Sequence, residues 1–383
     1  MKTFSLAINI IWAIILIQCA PVQALKISGK VSGQNGEGLS FASVYLKGTT
    51  KGTTTNIDGD YSIDLVPGKY ELAFKFIGYQ LHYEKVELID KNITLNAKLS
   101  PENVMLKEVT VSANGEDPAY AIIRNAIKKR KFYLEEVESF SCEVYIKGLQ
   151  RIKKYPKKIM GFELNAEKLG IIDTNSGIVY LSESVSKFNF QKPDKIKEEM
   201  ISSKVSGDNK AFSYNQASDM LFNFYENLIT INELSDRGFV SPIANTAMLY
   251  YNYKLLGTIQ ENGTLINKIQ VTPKRKLDPV FKGTIYILEN SWRIHSVELI
   301  LTKDANIDFV DTLWVQQVMA PVEKEIWLPI SNRFDFKFKF MGVSGDGTFL
   351  GTNNNYIISP EFPPKFFTNE VLKVKDDANK KDT

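Results

Sequence analysis

Two long stretches of the chain alternate apolar and polar residues with the period of two that is typical of β-strands. In the first stretch, residues 25–113, seven such segments are separated by turns rich in glycine, asparagine and proline. Two apolar stripes follow from this spacing: Tyr61, Ile63 and Leu65, and then Tyr70, Leu72, Phe74 and Phe76. The pattern predicts a seven-stranded antiparallel β-sandwich with these stripes in its core.

The second stretch, residues 161–372, contains longer alternating runs, and from Met248 onward these are joined by short turns such as ENG and ENS. Pairs of β-rich runs separated by about three turn residues are typical of hairpins. In RFDFKFKF the aromatic positions share one strand face and the charged positions share the other, so one face is apolar and the other faces solvent. The aromatic residues are Phe334, Phe336, Phe338 and Phe340, and the charged residues are Arg333, Asp335, Lys337 and Lys339. We expect a larger β-rich domain, followed by a polar tail at 373–383.

Two segments favour helices. Between the two β-rich stretches, residues 114–160 contain a run with helical spacing that opens with Asp117 as cap and Pro118 in the first turn. We expect a linker helix followed by a basic hairpin. Further on, Ser218 and Asp219 precede MLFNFYENLITI, which predicts a short apolar helix.

The first 24 residues have the three parts of a secretory signal peptide. A basic residue, Lys2, is followed by an apolar run over residues 6–17 and by a small-residue exit, which predicts cleavage between Ala24 and Leu25. A membrane anchor is disfavoured because about 20 apolar residues are needed to span a bilayer. Lipidation at Cys19 is disfavoured because the residue before it is too large. We therefore expect an exported protein.

Composition excludes several classes of function. The 47 basic and 44 acidic residues give a net charge of +3, which is too even to indicate nucleic-acid binding. Only two cysteines and two histidines occur in the chain, which argues against disulfide scaffolds, zinc fingers and most histidine-based catalysis. Once the leader is removed, Cys142 is the only cysteine, and we expect a small buried apolar side chain there.

Positive charge is concentrated between residues 124 and 158. This stretch contains four acidic residues and eleven basic ones: Arg124, Lys128, Lys129, Arg130, Lys131, Lys147, Arg151, Lys153, Lys154, Lys157 and Lys158. A basic face could attract anionic lipid headgroups. A solvated helix and hairpin is the simpler interpretation, and we favour it.

Residues 29–79 carry a resemblance to a known family. The segment GKVSGQNGEGLSFASVYLKGTTKGTTTNIDGDYSIDLVPGKYELAFKFIGY resembles the carboxypeptidase regulatory-like domain, a transthyretin-like β-sandwich. The resemblance implies an accessory module of the kind found beside peptidases and in Gram-negative envelope proteins. A metallocarboxypeptidase would need a His and Glu zinc pair, and neither His82 nor His295 has that spacing. We therefore expect no peptidase activity.

The rest of the chain resembles two further groups. The stretch YKLLGTIQENGTLINKIQVTPKRKLDPVFKGTIYILENSWRIHSVELIL resembles the LolA-like half-barrel of lipoprotein carriers. The succession GEDPAYAIIRNAIKK, YNYKLLGT, INKIQVTPKRK and WRIHSVELILT is similar, over roughly residues 115–372, to a domain of unknown function in Bacteroidetes-type outer-membrane proteins. The expected fold is mainly β with minor α, a sandwich followed by an antiparallel half-barrel packed with helices. The resemblance implies the periplasm or outer membrane of a Gram-negative envelope.

In those relatives a transmembrane β-barrel follows. The present chain ends at NEVLKVKDDANKKDT. We therefore expect either a truncated product or a soluble variant of a membrane-anchored protein, peripheral to the membrane at most.

Candidate ligand residues each have an ordinary structural explanation. Asn56, Asp58 and Asp60 could begin a calcium loop, but a turn with Gly59 at positive φ explains the same pattern and is favoured. His295 lies on an alternating strand, and a packed or surface role is favoured over a metal ligand.

Surface-binding candidates are equally open to ordinary explanations. Strand tryptophans could stack on sugars, although they more often fill cores: Trp292, Trp314 and Trp327. A basic turn could touch lipid headgroups: Lys274, Arg275 and Lys276. No nucleophile elbow, phosphate loop or paired His–carboxylate cluster is present in the sequence. We predict no catalytic, cofactor-binding or metal-binding residue.

Three hypotheses for function remain. The favoured one is a secreted, non-enzymatic cell-envelope protein that supports outer-membrane biogenesis or transport by binding a lipid or apolar ligand, or an outer-membrane or periplasmic protein. The second is a carbohydrate-binding accessory protein, which exposed tryptophans would favour. The third is a hydrolase, which would require converging acids with shifted pKa values in one cleft.

Overall fold

The chain folds into two compact units. The computed structural model describes residues 24–49, 51–56, 58–102, 115–207, 214–231, 234–307, 310–323, 325–368 and 371–374. The first unit holds the described residues up to Lys47 together with Thr53–Phe76 and His82–Ser100. The second holds Gly48–Gly52, Ile77–Leu81 and the chain from Pro101 onward. The predicted signal peptide, residues 1–24, lies outside the described residues except for Ala24, and its cleavage stays a prediction.

Residues 25–98 form two four-stranded sheets. Their strands are β1 Leu25–Ser32, β2 Ser43–Leu46, β3 Gly52–Thr54, β4 Asp60–Leu65, β5 Gly68–Lys75, β6 His82–Leu88, β7 Ile93–Thr94 and β8 Ala97–Lys98. One sheet has the order β4-β1-β7 with β8 also on β1, and the other has the order β3-β2-β5-β6. The predicted stripe of Tyr61, Ile63 and Leu65 is buried, and the Tyr61 ring meets Phe74 edge-on at 5.6 Å. The seventh predicted segment, residues 106–113, lies outside the described residues.

The turn before β4 is built around one asparagine. The side-chain oxygen of Asn56 accepts hydrogen bonds from the backbone N–H groups of Asp58 and Asp60, each at 2.9 Å. Gly59 has a φ of 88°, and a Cβ there would lie 2.6 Å from the Val31 carbonyl oxygen. The turn with Gly59 at positive φ is therefore confirmed, since the asparagine oxygen serves the backbone of its own turn.

The second unit is dominated by one eleven-stranded sheet with the order β16-β17-β18-β19-β20-β21-β22-β9-β12-β13-β23. Its strands are β9 Ser139–Lys154, β12 Ile178–Gln191, β13 Lys195–Gly207, β16 Tyr251–Glu261, β17 Thr264–Pro273, β18 Lys282–Leu288, β19 Ile294–Thr302, β20 Thr312–Glu323, β21 Ile326–Phe340, β22 Val343–Ile358 and β23 Leu372–Val374. Neighbours are antiparallel except β13 and β23. The mainly β class is confirmed.

Smaller elements surround this sheet. Two hairpins are formed by β10 Lys158–Ile159 with β11 Phe162–Glu163 and by β14 Leu228–Ile231 with β15 Ser235–Val240. The helices are α1 Ala119–Glu135 and α2 Ala247–Tyr250, and short 3-10 turns span Ala217–Met220 and Lys303–Ala305. Within the described ranges, no helix has the length and apolar character needed to cross a bilayer.

Residues 114–160, expected to form a linker helix and a basic hairpin, contain helix α1 and strand β9. Strand β9 is an interior strand of the large sheet, paired with β22 and β12. Its basic residues lie on the sheet face and at the strand end that meet solvent. The hairpins β16–β17 and β18–β19, by contrast, occur where the ENG and ENS turns predict them.

The predicted apolar helix after Ser218 is wrong. Only the 3-10 turn Ala217–Met220 forms there, and the chain then extends toward β14. Met220, Phe222 and Phe224 are buried, whereas Leu221 and Asn223 are exposed. This is a period of two, so an extended chain buries all three apolar side chains while a helix would scatter them around its axis.

One face of the large sheet carries the main core, and we call it the covered face. It is covered by α1 and by the described residues between 214 and 250, which we call the covering segment. Phe334 and Phe336 of β21 are buried on this face, as predicted. Phe338 is half-buried, and Phe340 is exposed at the turn after β21, so the predicted apolar stripe reaches solvent at its end.

Helix α1 is fixed at its start by Asp117. One carboxylate oxygen accepts hydrogen bonds from the backbone N–H of Ala119 and from that of Leu255 in β16, both at 2.9 Å. The Asp117 side chain thus satisfies a backbone donor at the helix start, with Pro118 in helical conformation directly before Ala119. The same oxygen also satisfies the edge strand beside a bulge between Leu255 and Gly257.

We predict that Asp117→Ala lowers the free energy of unfolding by about 1–3 kcal/mol, because two backbone donors lose their acceptor. Asp117→Asn keeps a side-chain oxygen in place and should retain most of that stability. Urea unfolding of the two variants measures the difference. Equal losses in both would show that the charge, and not the shared acceptor, matters.

Candidate functional site

The covered face of the sheet is filled by aromatic side chains of the covering segment. Phe222 lies 5.2 Å from Phe334 between ring centroids, and Tyr214 meets Phe349 edge-on at 5.2 Å. Phe224 is likewise buried. The sheet supplies the apolar surface, and the covering segment removes it from water.

Polar side chains on the covered face hold the covering segment by its backbone. The Gln317 amide donates to the Phe222 carbonyl at 3.1 Å and to the Asn332 side-chain oxygen at 2.9 Å, and the Asn332 amide donates to the Met220 carbonyl at 3.4 Å. Gln317 and Asn332 are paired across β20 and β21 and are both buried. They satisfy carbonyl groups that an irregular segment leaves without partners in the interior.

A buried carboxylate, Glu198, satisfies backbone N–H groups of the covering segment. Glu198 of β13 is fully buried, and its two oxygens accept hydrogen bonds from the N–H groups of Ala217 and Ser218 at 2.9 and 3.2 Å. These are orphan donors at the start of the 3-10 turn. The covering segment is therefore attached to the sheet through both its donors and its acceptors.

A buried ion pair joins Glu136, directly after α1, to Arg293, directly before β19. The guanidinium of Arg293 donates two hydrogen bonds to the Glu136 carboxylate, at 2.7 and 2.5 Å. The side chains are 7% and 14% exposed, respectively. Arg293 also lies 4.1 Å from the centre of the Tyr133 ring, whose hydroxyl donates to the Ser291 carbonyl. This cluster is a structural clamp between helix and sheet.

The sequence-predicted candidates do not converge. His295 is buried, with ring nitrogens near Ser296 Oγ at 3.0 Å and Glu261 Oε1 at 3.4 Å. Cys142 is buried, as predicted, and burial raises the pKa of its thiol. In the basic turn, Lys274 donates to the Met248 carbonyl, while Arg275 and Lys276 pair with acidic residues.

The three tryptophans are all half-buried. Trp292 and Trp327 pack against the main core, and Trp314 has the Lys337 ammonium 5.1 Å from its ring centre. Packed rings do not offer the free faces that sugar stacking needs.

Carboxyl groups with shifted pKa values are dispersed. Among the described residues they are Glu116, before α1, Asp173, before β12, and Glu298, on β19. Burial raises the pKa of Glu298, although its hydrogen bond from the Tyr286 hydroxyl at 3.0 Å and the charge of Lys268 partly offset this. The pKa of Asp173 is lowered, chiefly because it accepts the Ser176 hydroxyl hydrogen bond.

The sequence contained a signal for the covering segment that helix patterning obscured. Gln317 and Asn332 interrupt otherwise apolar strand positions, and a buried amide in such a position calls for a backbone partner. Glu198, in a charged run, gave no comparable signal.

Two family models match this chain. A model described as a family of unknown function, DUF5686, matches residues 122–356. A model of the CarboxypepD_reg-like domain matches residues 27–111. The order predicted from the sequence is confirmed.

The curated proteins similar to this chain include TonB-dependent receptors. One, from Formosa agariphila, is 33% identical over 98 residues, which are 26% of this chain and 9% of the receptor. The receptor SusC from Bacteroides thetaiotaomicron is 31% identical over 113 residues, 30% of this chain and 11% of the receptor. The chain thus spans about a tenth of the length of these relatives.

Solved structures similar to the chain include LolA-type proteins. A LolA superfamily protein from Nitrosomonas europaea is 10% identical with a TM-score of 0.24, covering 66% of this chain and 99% of that one. A domain from Vibrio parahaemolyticus, provisionally described as an outer membrane lipoprotein-sorting protein, is 11% identical with a TM-score of 0.30. The match covers 64% of this chain and 96% of that one. Such low scores give no detail about the present site.

We predict that Arg293→Met costs about 3 kcal/mol or more of unfolding free energy, because Glu136 is left as a buried unpaired charge. The double variant Arg293→Met with Glu136→Leu should recover most of the loss. Chemical denaturation of wild type, both single variants and the double variant completes the cycle. A double variant as unstable as Arg293→Met would contradict the explanation by unpaired charge.

A second prediction concerns pH. Since the folded state raises the pKa of Glu298, its stabilising contribution is present below the ordinary glutamate pKa and is lost as pH rises through the folded value. Glu298→Gln should therefore raise the melting temperature at pH 7, with the gain vanishing toward pH 4. Asp173→Asn should show the opposite sign at pH 7, because its pKa is lowered. Thermal melts from pH 4 to 7 test both, and gains that do not change with pH would contradict the assignment.

Proposed function

This chain belongs to the DUF5686 family and carries a CarboxypepD_reg-like domain ahead of it, and from this premise we propose that it is an exported, non-enzymatic cell-envelope protein. It would support outer-membrane biogenesis or transport by binding a protein partner on its outer surfaces. The covered face of the large sheet is reserved for its own covering segment.

An envelope location is supported by two independent features. The leader ending at Ala24 has the composition of an export signal. The curated relatives are TonB-dependent receptors, and the likeness to them extends over about a quarter of this chain. We propose the periplasm or the outer membrane as the site of action, with no nucleic-acid partner.

One observation carries the choice of a protein partner over an apolar ligand. Phe222 and Phe224 occupy the covered face, and Gln317, Asn332 and Glu198 satisfy the backbone that brings them there. An acyl chain could enter only if these hydrogen bonds broke and left buried polar groups without partners, which is costly. The half-buried tryptophans give no support to the carbohydrate-binding alternative, and the dispersed carboxyl groups give none to a hydrolase.

The proposal predicts that the protein purifies without a lipid in its core. After a detergent wash, native mass spectrometry should give the mass of the chain alone, and organic extraction should give no stoichiometric lipid. The variant Phe222→Ala with Phe224→Ala opens space on the covered face and should bind an apolar fluorescent dye that the native chain excludes. One lipid retained per native chain would instead support an apolar ligand.

The partner is tested separately. Cross-linking in intact cells should join the chain to a discrete envelope protein. Recovery of the chain only in its uncross-linked form would contradict the proposal.

A further inference from the structure

Two hairpin turns adjoin the last residues of β9, at one end of the large sheet. One joins β10 to β11, and the other joins β21 to β22. Ser344 of β22 is paired with Lys154 of β9, and a Cβ on Gly342 would lie 3.4 Å from the Pro156 ring. We call residues 155–163 and 339–343 the paired tips.

Both turns have the same unusual sequence. Each consists of a methionine followed by a glycine, with φ values of 49° and 86° at Met160 and Gly161 and of 47° and 83° at Met341 and Gly342. Two-residue hairpin turns with positive φ at both positions favour Asn-Gly or Asp-Gly. The same sheet has that sequence at its opposite end, where Asn262 and Gly263 have φ values of 47° and 78°. Methionine at such a position strains the backbone more than asparagine would. Both Met-Gly turns have this strained methionine.

The strained positions are also strongly exposed. Met160 is 81% exposed and Phe162 is 74% exposed, and Phe340 and Met341 are exposed beside them. Replacing long apolar side chains at protruding turns with polar ones costs the fold no stability. Their presence therefore indicates a contact outside the chain.

The charge around the paired tips is positive. Residues 151–173 and 337–346 contain eight basic and four acidic side chains, a net charge of +4. Within the described part of the chain, Lys154, Lys157 and Lys339 form no ion pair, and Lys158 pairs with Glu163 at 3.5 Å. At the opposite end the Asn262–Gly263 turn follows Glu261. The Asn262–Gly263 turn thus has an acidic neighbour, whereas the two Met-Gly turns lie among lysines.

We propose that the paired tips dock the protein onto an anionic lipid bilayer. Methionine and phenylalanine side chains enter the boundary between headgroups and acyl chains, and the lysines around them contact anionic headgroups. Lysine suits this position because its aliphatic stem tolerates apolar surroundings while its ammonium reaches the headgroup level. This inference goes beyond the proposed function, since it concerns a lipid bilayer instead of a protein partner.

The test uses the purified protein and sedimentation with vesicles of equimolar phosphatidylcholine and phosphatidylglycerol. Binding should be clear at low salt, weaker at high salt, and weaker still to vesicles of phosphatidylcholine alone. In the double variant Met160→Asn with Met341→Asn, vesicle affinity should fall about tenfold or more. Its melting temperature should stay equal or rise, because asparagine suits both turns better.

Two further variants complete the design. Lys154→Gln with Lys157→Gln should weaken binding and flatten its salt dependence. Ile89→Asn removes an exposed apolar side chain in the first unit and should leave binding unchanged. The proposal is overturned if the native protein does not bind anionic vesicles, as would be the case were the tips a protein-binding surface, or if the methionine double variant binds as tightly as the native protein.

Discussion

The constraint on which the second unit depends is the need to bury one face of an eleven-stranded sheet. Strands of up to 16 residues present a broad apolar surface, and burying such a surface is the main favourable term in folding. The 17-residue helix α1 covers only part of it. The covering segment supplies the rest, with Tyr214, Phe222 and Phe224 as its principal apolar contacts.

Covering a sheet with irregular chain creates a second requirement. Helices satisfy their own backbone, whereas an extended segment brings unpaired N–H and C=O groups into the interior. Gln317, Asn332 and Glu198 meet this requirement from the sheet, and Asp117 does the same for α1 and the edge strand β16. The few polar residues on the covered face are therefore part of its packing, and they make the sheet specific for its own segment.

Sequence patterning predicted what depends on neighbouring residues. The alternation around Tyr61, the Asn262–Gly263 turn and the helix start at Asp117 each fix local geometry, and the structure has all three. Sequence patterning failed where contacts with residues distant in the sequence determine the local conformation. The segment after Ser218 has helix-like signals, but its Phe222 packs on Phe334 of the sheet, and the extended chain makes that contact possible. The basic residues of β9 indicated a solvated hairpin, although the other face of this strand carries Cys142, Val144 and Ile146 in the core.

The length of β9 has a geometric consequence. At about 3.3 Å per residue, its 16 residues extend over roughly 50 Å. The paired tips lie at one end of this strand, and the Arg293–Glu136 clamp lies at the other, next to its first residue. If the paired tips contact a bilayer as proposed, β9 therefore holds the clamp at the end of the sheet that is farther from the lipid.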